Sequence, residues 1–261
     1  MKPAPGRAPE GIDAHAWAAL FGAPVAHRGL WSHDKDRPEN SLAAFEAAAA
    51  AGYAMELDVQ LSADGEAVVF HDDRLSEREL TTASGRIAEH RAADLAEVRL
   101  AGTRETIPTL AEALECVGGR SLVVVELKVL GGDEGPLERR VAEVLDAYSG
   151  PAAVVSFNPR AVAWFADHRP GVLRGLDSAA YHDAMHWTLP AEERRALAEL
   201  DHVTLARPHF LGLGVDMLPS PSADALRARG LPVVAWTVRS ARQWARVKAH
   251  CDNLMFEGFK A

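Results

Sequence analysis

The sequence predicts an α/β chain closed into a (β/α)8 barrel, with a β-hairpin and a small insertion after the second barrel strand. Three observations carry this. Eight short apolar runs alternate with helical patterns along most of the 261 residues, an order that builds parallel sheets. The length suits one barrel of about 250 residues. One pair of runs lies too close together for a crossover helix, which needs a dozen or more residues, so the chain must turn back on itself there.

Past a Pro-rich, polar segment from Met1 to Gly11, residues 13–21 read as a short helix with Trp17, Leu20 and Phe21 on one side. Strand-like runs follow at 24–30, 53–61, 121–129, 152–157, 171–176, 202–206, 231–238 and 253–256. Helical patterns lie between them at 41–51, 109–117, 137–148, 159–168, 191–200, 222–229 and 241–249. Asn40 or Ser41 supplies an N-cap for the first of these and Ser240 for the last. No helix follows the final strand, so the N-terminal helix is expected to fill the gap in the outer ring. In the hairpin, Asp64-Gly65 marks a tight turn. Its return arm, 67–71, brings His71 roughly opposite Asp58 and close to Glu56. Residues 73–106 are polar with little periodicity, and a stretch of that length is expected to be a lid or small subdomain. The whole of 1–261 reads as one barrel domain carrying this insertion.

Hydrophobic residues make up 48% and charged residues 25%, the balance of a soluble globular chain. A net charge of −9 excludes a broad nucleic-acid surface, so an anionic ligand must be drawn in by local cations or a metal. No run approaches the roughly 18 apolar residues of a membrane span. Residues 1–11 lack the apolar core of a signal peptide. Cys116 and Cys251 are far apart, without metal-ligand spacing, and read as reduced thiols. These features point to the cytoplasm.

Charged and titratable groups interrupt or end several of the apolar runs: His27-Arg28, Glu56-Leu57-Asp58, His71 and Glu126-Leu127-Lys128. A buried strand cannot keep a charge without a compensating partner, so these positions suggest one shared polar pocket. Side chains two apart in a strand face the same way, which puts Glu56 beside Asp58 and Glu126 beside Lys128. Three hard oxygen donors, with no Cys and no spaced His pair, suit one divalent cation, Mg²⁺ or Ca²⁺; salt bridges to Arg28 and Lys128 are the plainer reading of the same acids. His27 and His71 are candidates for proton transfer near neutral pH. Arg28 and Lys128 are candidates for gripping phosphate oxygens, and Glu39 is expected to anchor Arg28. Trp236 packs either over an apolar part of a substrate or into the core. The remaining histidines, His33, His182, His186 and His209 among them, read as solvated or structural.

His27-Arg28-Gly29, Pro38-Glu39-Asn40-Ser41, Glu56-Leu57-Asp58-Val59, Asp64-Gly65 before Val68-Val69-Phe70-His71-Asp72, Ile107-Pro108-Thr109-Leu110, Glu126-Leu127-Lys128, Ser156-Phe157 and Trp236-Thr237-Val238 together resemble the glycerophosphodiester phosphodiesterases. Each tripeptide is weak alone, but their order and spacing match from about residue 24 to the end. The resemblance implies a phosphatidylinositol-phospholipase-C-like TIM barrel with a small subdomain after the second strand, at about 73–106. It also implies a divalent metal on Glu56, Asp58 and Glu126, His27 and His71 as the acid/base pair, and Arg28 and Lys128 on the phosphate. Two positions depart from the pattern. Phe256-Glu257 stands where the family often has Thr-Asp, so no role carries over to Glu257. Asn158 stands where the family has Asp.

The expected activity is hydrolysis of a small-molecule glycerophosphodiester to an alcohol and glycerol 3-phosphate. A substrate hydroxyl attacking first, to give a cyclic phosphate that water then opens, is one route. Two alternatives stand beside it: a lysophospholipase D-type or cyclising enzyme acting on lysophospholipids, and an inactive barrel that binds phosphodiesters. An inactive barrel would be expected to lack one of the histidines or acids, and all are present.

Overall fold

The computed structural model describes residues 6–32, 37–129, 132, 134–181 and 190–261. Eight parallel strands close on themselves: β1 (Val25–Ala26), β2 (Ala54–Leu61), β4 (Val123–Leu127), β5 (Ala152–Ser156), β6 (Leu173–Ser178), β7 (Phe210–Gly214), β8 (Val233–Val238) and β9 (Asn253–Phe256). Each pairs with the next, and β1 pairs with both β2 and β9. This is a (β/α)8 TIM barrel. The extra strand β3 (Ala67–Val69) runs antiparallel on the outer part of β2, with Val59 opposite Val69 and Leu61 opposite Ala67. In that register Phe70, not His71, is level with Asp58, and its N–H donates to the Asp58 carbonyl at 3.0 Å.

The outer layer contains α2 (Leu42–Ala50), α4 (Leu110–Val117), α5 (Pro136–Asp146), α6 (Pro159–His168), α7 (Ala191–Ala198), α8 (Val203–Ala206), α9 (Pro221–Ala228) and α10 (Ala241–Val247). Local chemistry sets their ends. The Ser41 and Ser240 hydroxyls accept from Ala44 N–H and Gln243 N–H, at 3.2 Å each, as N-caps do. Thr109 and Glu112 form a reciprocal capping box, and Gly118 ends α4 in the left-handed region at φ 58°. One large cluster, with Phe45, Leu57, Leu114, Val125 and Val141, joins the helices to the outward strand faces. No helix among the described residues is long and apolar enough to cross a membrane.

Two expectations are corrected. Residues 202–206 were expected as a strand, but they contain the short helix α8, and the seventh barrel strand is β7, further along. Its sequence, Phe210-Leu211-Gly212-Leu213-Gly214, carries two glycines, which weaken the strand signal. The N-terminal helix α1 (Ala14–Gly22) does not stand in the outer ring. It closes the bottom of the barrel, packing Trp17, Leu20 and Phe21 against the inward-facing Val25, Ala54, Val124, Val155, Phe210 and Val234. The Asn253 side-chain amide fastens it there by donating to the Leu20 and Ala23 carbonyls at 2.6 and 2.8 Å. Burying each of those three α1 side chains is worth about 2 kcal/mol. His33, His182 and His186 lie outside the described residues.

The insertion after β3 has its own small core of Phe70, Leu75, Ile87, Leu95, Leu100 and Ile107. It contains a single 3-10 turn (Ile87–Glu89) and the short helix α3 (Ala92–Leu95), with the β-bridge Arg74–Arg86 closing the loop between them and β3.

At the start of β7, His209 accepts the Arg174 N–H at Nδ1 (3.3 Å), which requires an unprotonated Nδ1. Burial first, and the nearby Arg174 guanidinium second, lower its pKa from 6.5 to about 4. The unfolded chain therefore takes up this proton before the folded one. Stability is unaffected above the unfolded pKa and falls as pH drops from there toward the folded value. His209→Gln is expected to lose less stability than the parent over that interval, checked by urea midpoints at pH 7 and pH 5.

Candidate active site

The strand alternation that points Val25, Ala54, Val124, Leu173 and Val234 toward the barrel floor points His27, Glu56, Asp58, Glu126, Asp177 and Trp236 inward nearer the C-terminal mouth. His27 follows β1, after which Arg28 and Gly29 take left-handed conformations at φ 59° and 80°. This kink folds the chain over the end of β2. Arg28 N–H donates to Glu56 Oε2 at 3.0 Å, and Gly29 N–H to the Glu56 carbonyl at 3.2 Å. A side chain at residue 29 would place Cβ 2.9 Å from Ala44 Cβ and 3.0 Å from its backbone carbon, so only glycine fits.

Asp58 is fully buried. Lys128 Nζ lies 2.8 Å from its Oδ1, and Arg28 Nε 3.2 Å from its Oδ2. Asn40 donates Nδ2 to Oδ2 at 2.8 Å and accepts the Asp58 N–H at 3.3 Å. Asn40 thus holds the acid, while the cap of α2 is Ser41. Lys128 Nζ also reaches Glu126 Oε1 at 2.6 Å. One oxygen from each of Glu56, Asp58 and Glu126 lies within 4.8 Å of the others. Burial opposes ionisation of Asp58, but Lys128 and Arg28 hold its carboxyl well below the usual range. Burial, then the charges of Asp58 and Glu126, push Glu56 well above it. Burial also raises Glu126 against the pull of Lys128. Glu56 Oε1 is buried with no hydrogen-bond partner. An unsatisfied oxygen in a cluster of mutually repelling acids fits a hard divalent cation.

Each imidazole is held from behind. His27 Nδ1 lies 2.8 Å from Glu257 Oε2, and Nε2 is 4.0 Å from Glu56 Oε2. His71 Nδ1 lies 2.7 Å from Asp72 Oδ1. A carboxylate accepts, so each Nδ1 carries hydrogen and each Nε2 is left for other work. Burial first lowers both pKa values, aided by Arg28 at His27 and Lys128 at His71, and opposed by the carboxylate partners. Burial would raise Glu257, yet its bond to His27 and its contact with Arg239 take it to about 2. Arg78, from the insertion, donates Nε to both Asp72 oxygens at 2.8 and 2.7 Å, and Nη2 to Glu39 Oε1 at 2.7 Å. Glu39 in turn accepts from Arg28 Nη1 at 2.8 Å, so it anchors Arg28 as expected.

His27, Arg28, Glu56, His71, Glu126, Lys128 and Trp236 line one cavity of about 450 Å³. Asp58 lies buried behind them, so the eight residues singled out in the sequence come together. Trp236 meets Phe157 edge to face, centroids 5.3 Å apart, and both rings border the cavity. Three further residues went unassigned from sequence: Glu257, Asp72 and the cavity-lining Asp177. Asp177 has the same signal as Glu126, an acid near the end of an apolar run, but the run as read stopped one residue before it.

Residues 27–254 match the glycerophosphoryl diester phosphodiesterase family. The chain belongs to that family. A glycerophosphodiester phosphodiesterase of Bacillus altitudinis is 31% identical over 232 residues, covering 84% of this chain and 86% of its own. Among solved structures, an Oleispira antarctica phosphodiesterase in complex with the product sn-glycerol-3-phosphate is 26% identical with a TM-score of 0.76, covering 92% of this chain and 94% of that one. A Thermotoga maritima glycerophosphodiester phosphodiesterase shares the fold at 23% identity and TM-score 0.67, over 90% and 94% of the two chains. Family membership makes the chain a phosphoric diester hydrolase. Within the family pattern, the departure at Phe256-Glu257 falls on the carboxylate that holds His27.

Gln60 clamps the hairpin arm on both sides of His71, donating Nε2 to the Phe70 and Asp72 carbonyls at 2.8 and 2.7 Å. Gln60→Ala leaves those buried carbonyls unsatisfied and is expected to cost about 1–3 kcal/mol of stability, measured by urea unfolding.

Proposed function

We propose that this chain hydrolyses small glycerophosphodiesters to an alcohol and sn-glycerol 3-phosphate. Glu56, Asp58 and Glu126 hold one divalent cation, Mg²⁺ or Ca²⁺, and His27 and His71 transfer protons. The observation that carries the reading is the pair of imidazoles, each anchored at Nδ1 by a carboxylate, lining one cavity with the acids and cations. The Oleispira relative's bound product names the chemical class of ligand.

When bound, the cation acts as a Lewis acid on the phosphoryl group. Arg28 and Lys128 face the phosphate oxygens and stabilise charge developing there. Trp236 and Phe157 exclude water along one wall. One imidazole takes the proton of the attacking hydroxyl through Nε2 as the new P–O bond forms. The other gives a proton to the departing oxygen as the old P–O bond breaks, and the alcohol leaves. Where the attacking hydroxyl is the substrate's own, water then opens the cyclic phosphate with the two proton transfers reversed, forming a P–O bond to water and breaking the ring P–O bond to give sn-glycerol 3-phosphate. Glu257 and Asp72 fix the ring orientations and offset the positive charge that appears on each ring in turn. Burial disfavours the imidazolium at both rings in the free protein, and an anionic phosphodiester beside them favours it on the leaving side.

His27→Ala and His71→Ala are each expected to lower kcat on glycerophosphocholine by at least about 10²-fold, with divalent-cation binding by calorimetry largely retained. Near-normal turnover in either variant removes that residue from the mechanism. Chelation with EDTA is expected to abolish turnover and Mg²⁺ or Ca²⁺ to restore it, while full activity in EDTA rejects the metal assignment.

A further inference from the structure

Asp177 takes no part in the chemistry above, yet the neighbouring strand leaves room for its carboxyl. It projects inward from β6, is only 5% exposed, and borders the cavity across from β1, two strands along from β4. Its strand neighbour on β7 is Gly212. A Cβ at residue 212 would stand 1.9 Å from Asp177 Oδ1 and 3.1 Å from Cγ. The backbone of β7 therefore leaves out a side chain where the carboxyl sits, in a strand whose two glycines cost it regular packing. Among the described residues no cation pairs with Asp177 and none donates a hydrogen bond to it. Lys128 and Arg28 contact Asp58, Glu126 and Glu39, and neither lies within salt-bridge distance of Asp177, on which Lys128 acts only through its field. A buried polar group without a protein partner in a cavity of this size is placed for a ligand.

We propose that Asp177 binds a hydroxyl of the substrate's glycerol group and sets the preference for glycerol-bearing phosphodiesters. The inference rests on the proposed function. With the phosphate held by Arg28 and Lys128 on the β1–β4 side, the rest of the substrate extends toward β6 and β8. There it meets Phe157 and Trp236 as an apolar wall and Asp177 as the polar group. A glycerol hydroxyl can donate to either oxygen of the carboxyl, and the gap left by Gly212 keeps that carboxyl clear of its strand neighbour. A site built to bond a hydroxyl rejects analogues that lack it, because the buried group is then left unsatisfied.

The test compares the metal-loaded parent with Asp177→Ala and Asp177→Asn on glycerophosphocholine and on two glycerol-free diesters, p-nitrophenyl phosphocholine and bis(p-nitrophenyl) phosphate. Asp177→Ala is expected to raise KM for glycerophosphocholine about tenfold with little change in kcat, and to weaken inhibition by sn-glycerol 3-phosphate by the same factor. The glycerol-free diesters are expected to show unchanged KM. Asp177→Asn keeps a donor and an acceptor and is expected to restore most of the affinity. Three results would overturn the assignment: equal KM shifts on all three diesters, no shift at all, or a shift on both phosphocholine esters that asparagine does not rescue, which would mark a cation site. If the parent cleaves no glycerophosphodiester, the proposed function fails by itself. Calorimetric binding of sn-glycerol 3-phosphate to parent and Asp177→Ala then still decides this inference, equal affinities rejecting it.

Discussion

The constraint on which the mouth of this barrel depends is the burial of Asp58. A carboxylate with no solvent access must be met by opposite charge and hydrogen bonds, and removing one partner of such a group costs several kcal/mol. Arg28, Lys128 and Asn40 meet it here, and each brings a separate piece of chain to the same point: the kink after β1, the end of β4 and the turn before α2. The cluster is therefore the fastening that sets the relative positions of three loops. Asp58 is met by both Arg28 and Lys128, Glu126 shares Lys128 with it, and Glu56 has neither side chain, so Glu56 and Glu126 stay under-compensated and could hold a metal ion.

The hairpin and insertion extend the same network outward. His71 reaches the cavity because β3 folds back on β2, and its ring is oriented by Asp72. Asp72 is held by Arg78 from the insertion, and Arg78 shares Glu39 with Arg28. An unbroken line of bonds thus joins His71 to Asp58 through a segment that in sequence reads only as polar and aperiodic. That segment packs a small core of its own, so its contribution is rigidity behind the ring, as the proton-transfer role proposed for His71 requires.

What the sequence made legible follows from how local each signal is. The acids, histidines and cations announced themselves as charges inside apolar, β-branched runs, and the strand period alone put Glu56 beside Asp58. The Asp-Gly turn located the hairpin, although its register brings Phe70 rather than His71 level with Asp58. The elements that were missed depend on partners distant in the chain. β7 reads poorly as a strand because Gly212 answers to Asp177 on β6, and no window around residue 212 contains that fact. The helix α1 is amphipathic in a way that serves a ring position or a plug equally well, and only the inward-facing floor residues of several other strands decide between them. Glu257 belongs to the site through His27, 230 residues away, and no window around either residue contains that pairing.

The cavity divides its labour between two sides of the barrel. On β1, β2 and β4 the cations, Asn40 and the backbone kink hold Asp58 and Glu56 in place while Glu56 Oε1 stays without a hydrogen-bond partner, so that geometry is set before any ligand arrives. On the ends of β5, β6 and β8 the lining includes the rings of Phe157 and Trp236, Thr237, Arg239 and the acid Asp177, which has no salt bridge or hydrogen bond among the described residues. Preorganisation on one side and an unsatisfied group on the other are what separate catalysis from selection in a single cavity: the first lowers the barrier for any phosphodiester that fits, and the second discriminates through what is lost when its partner is missing. On the role proposed for Asp177, changes on β6 and β7 alter which ester is preferred while Asp58 and its cations keep their arrangement.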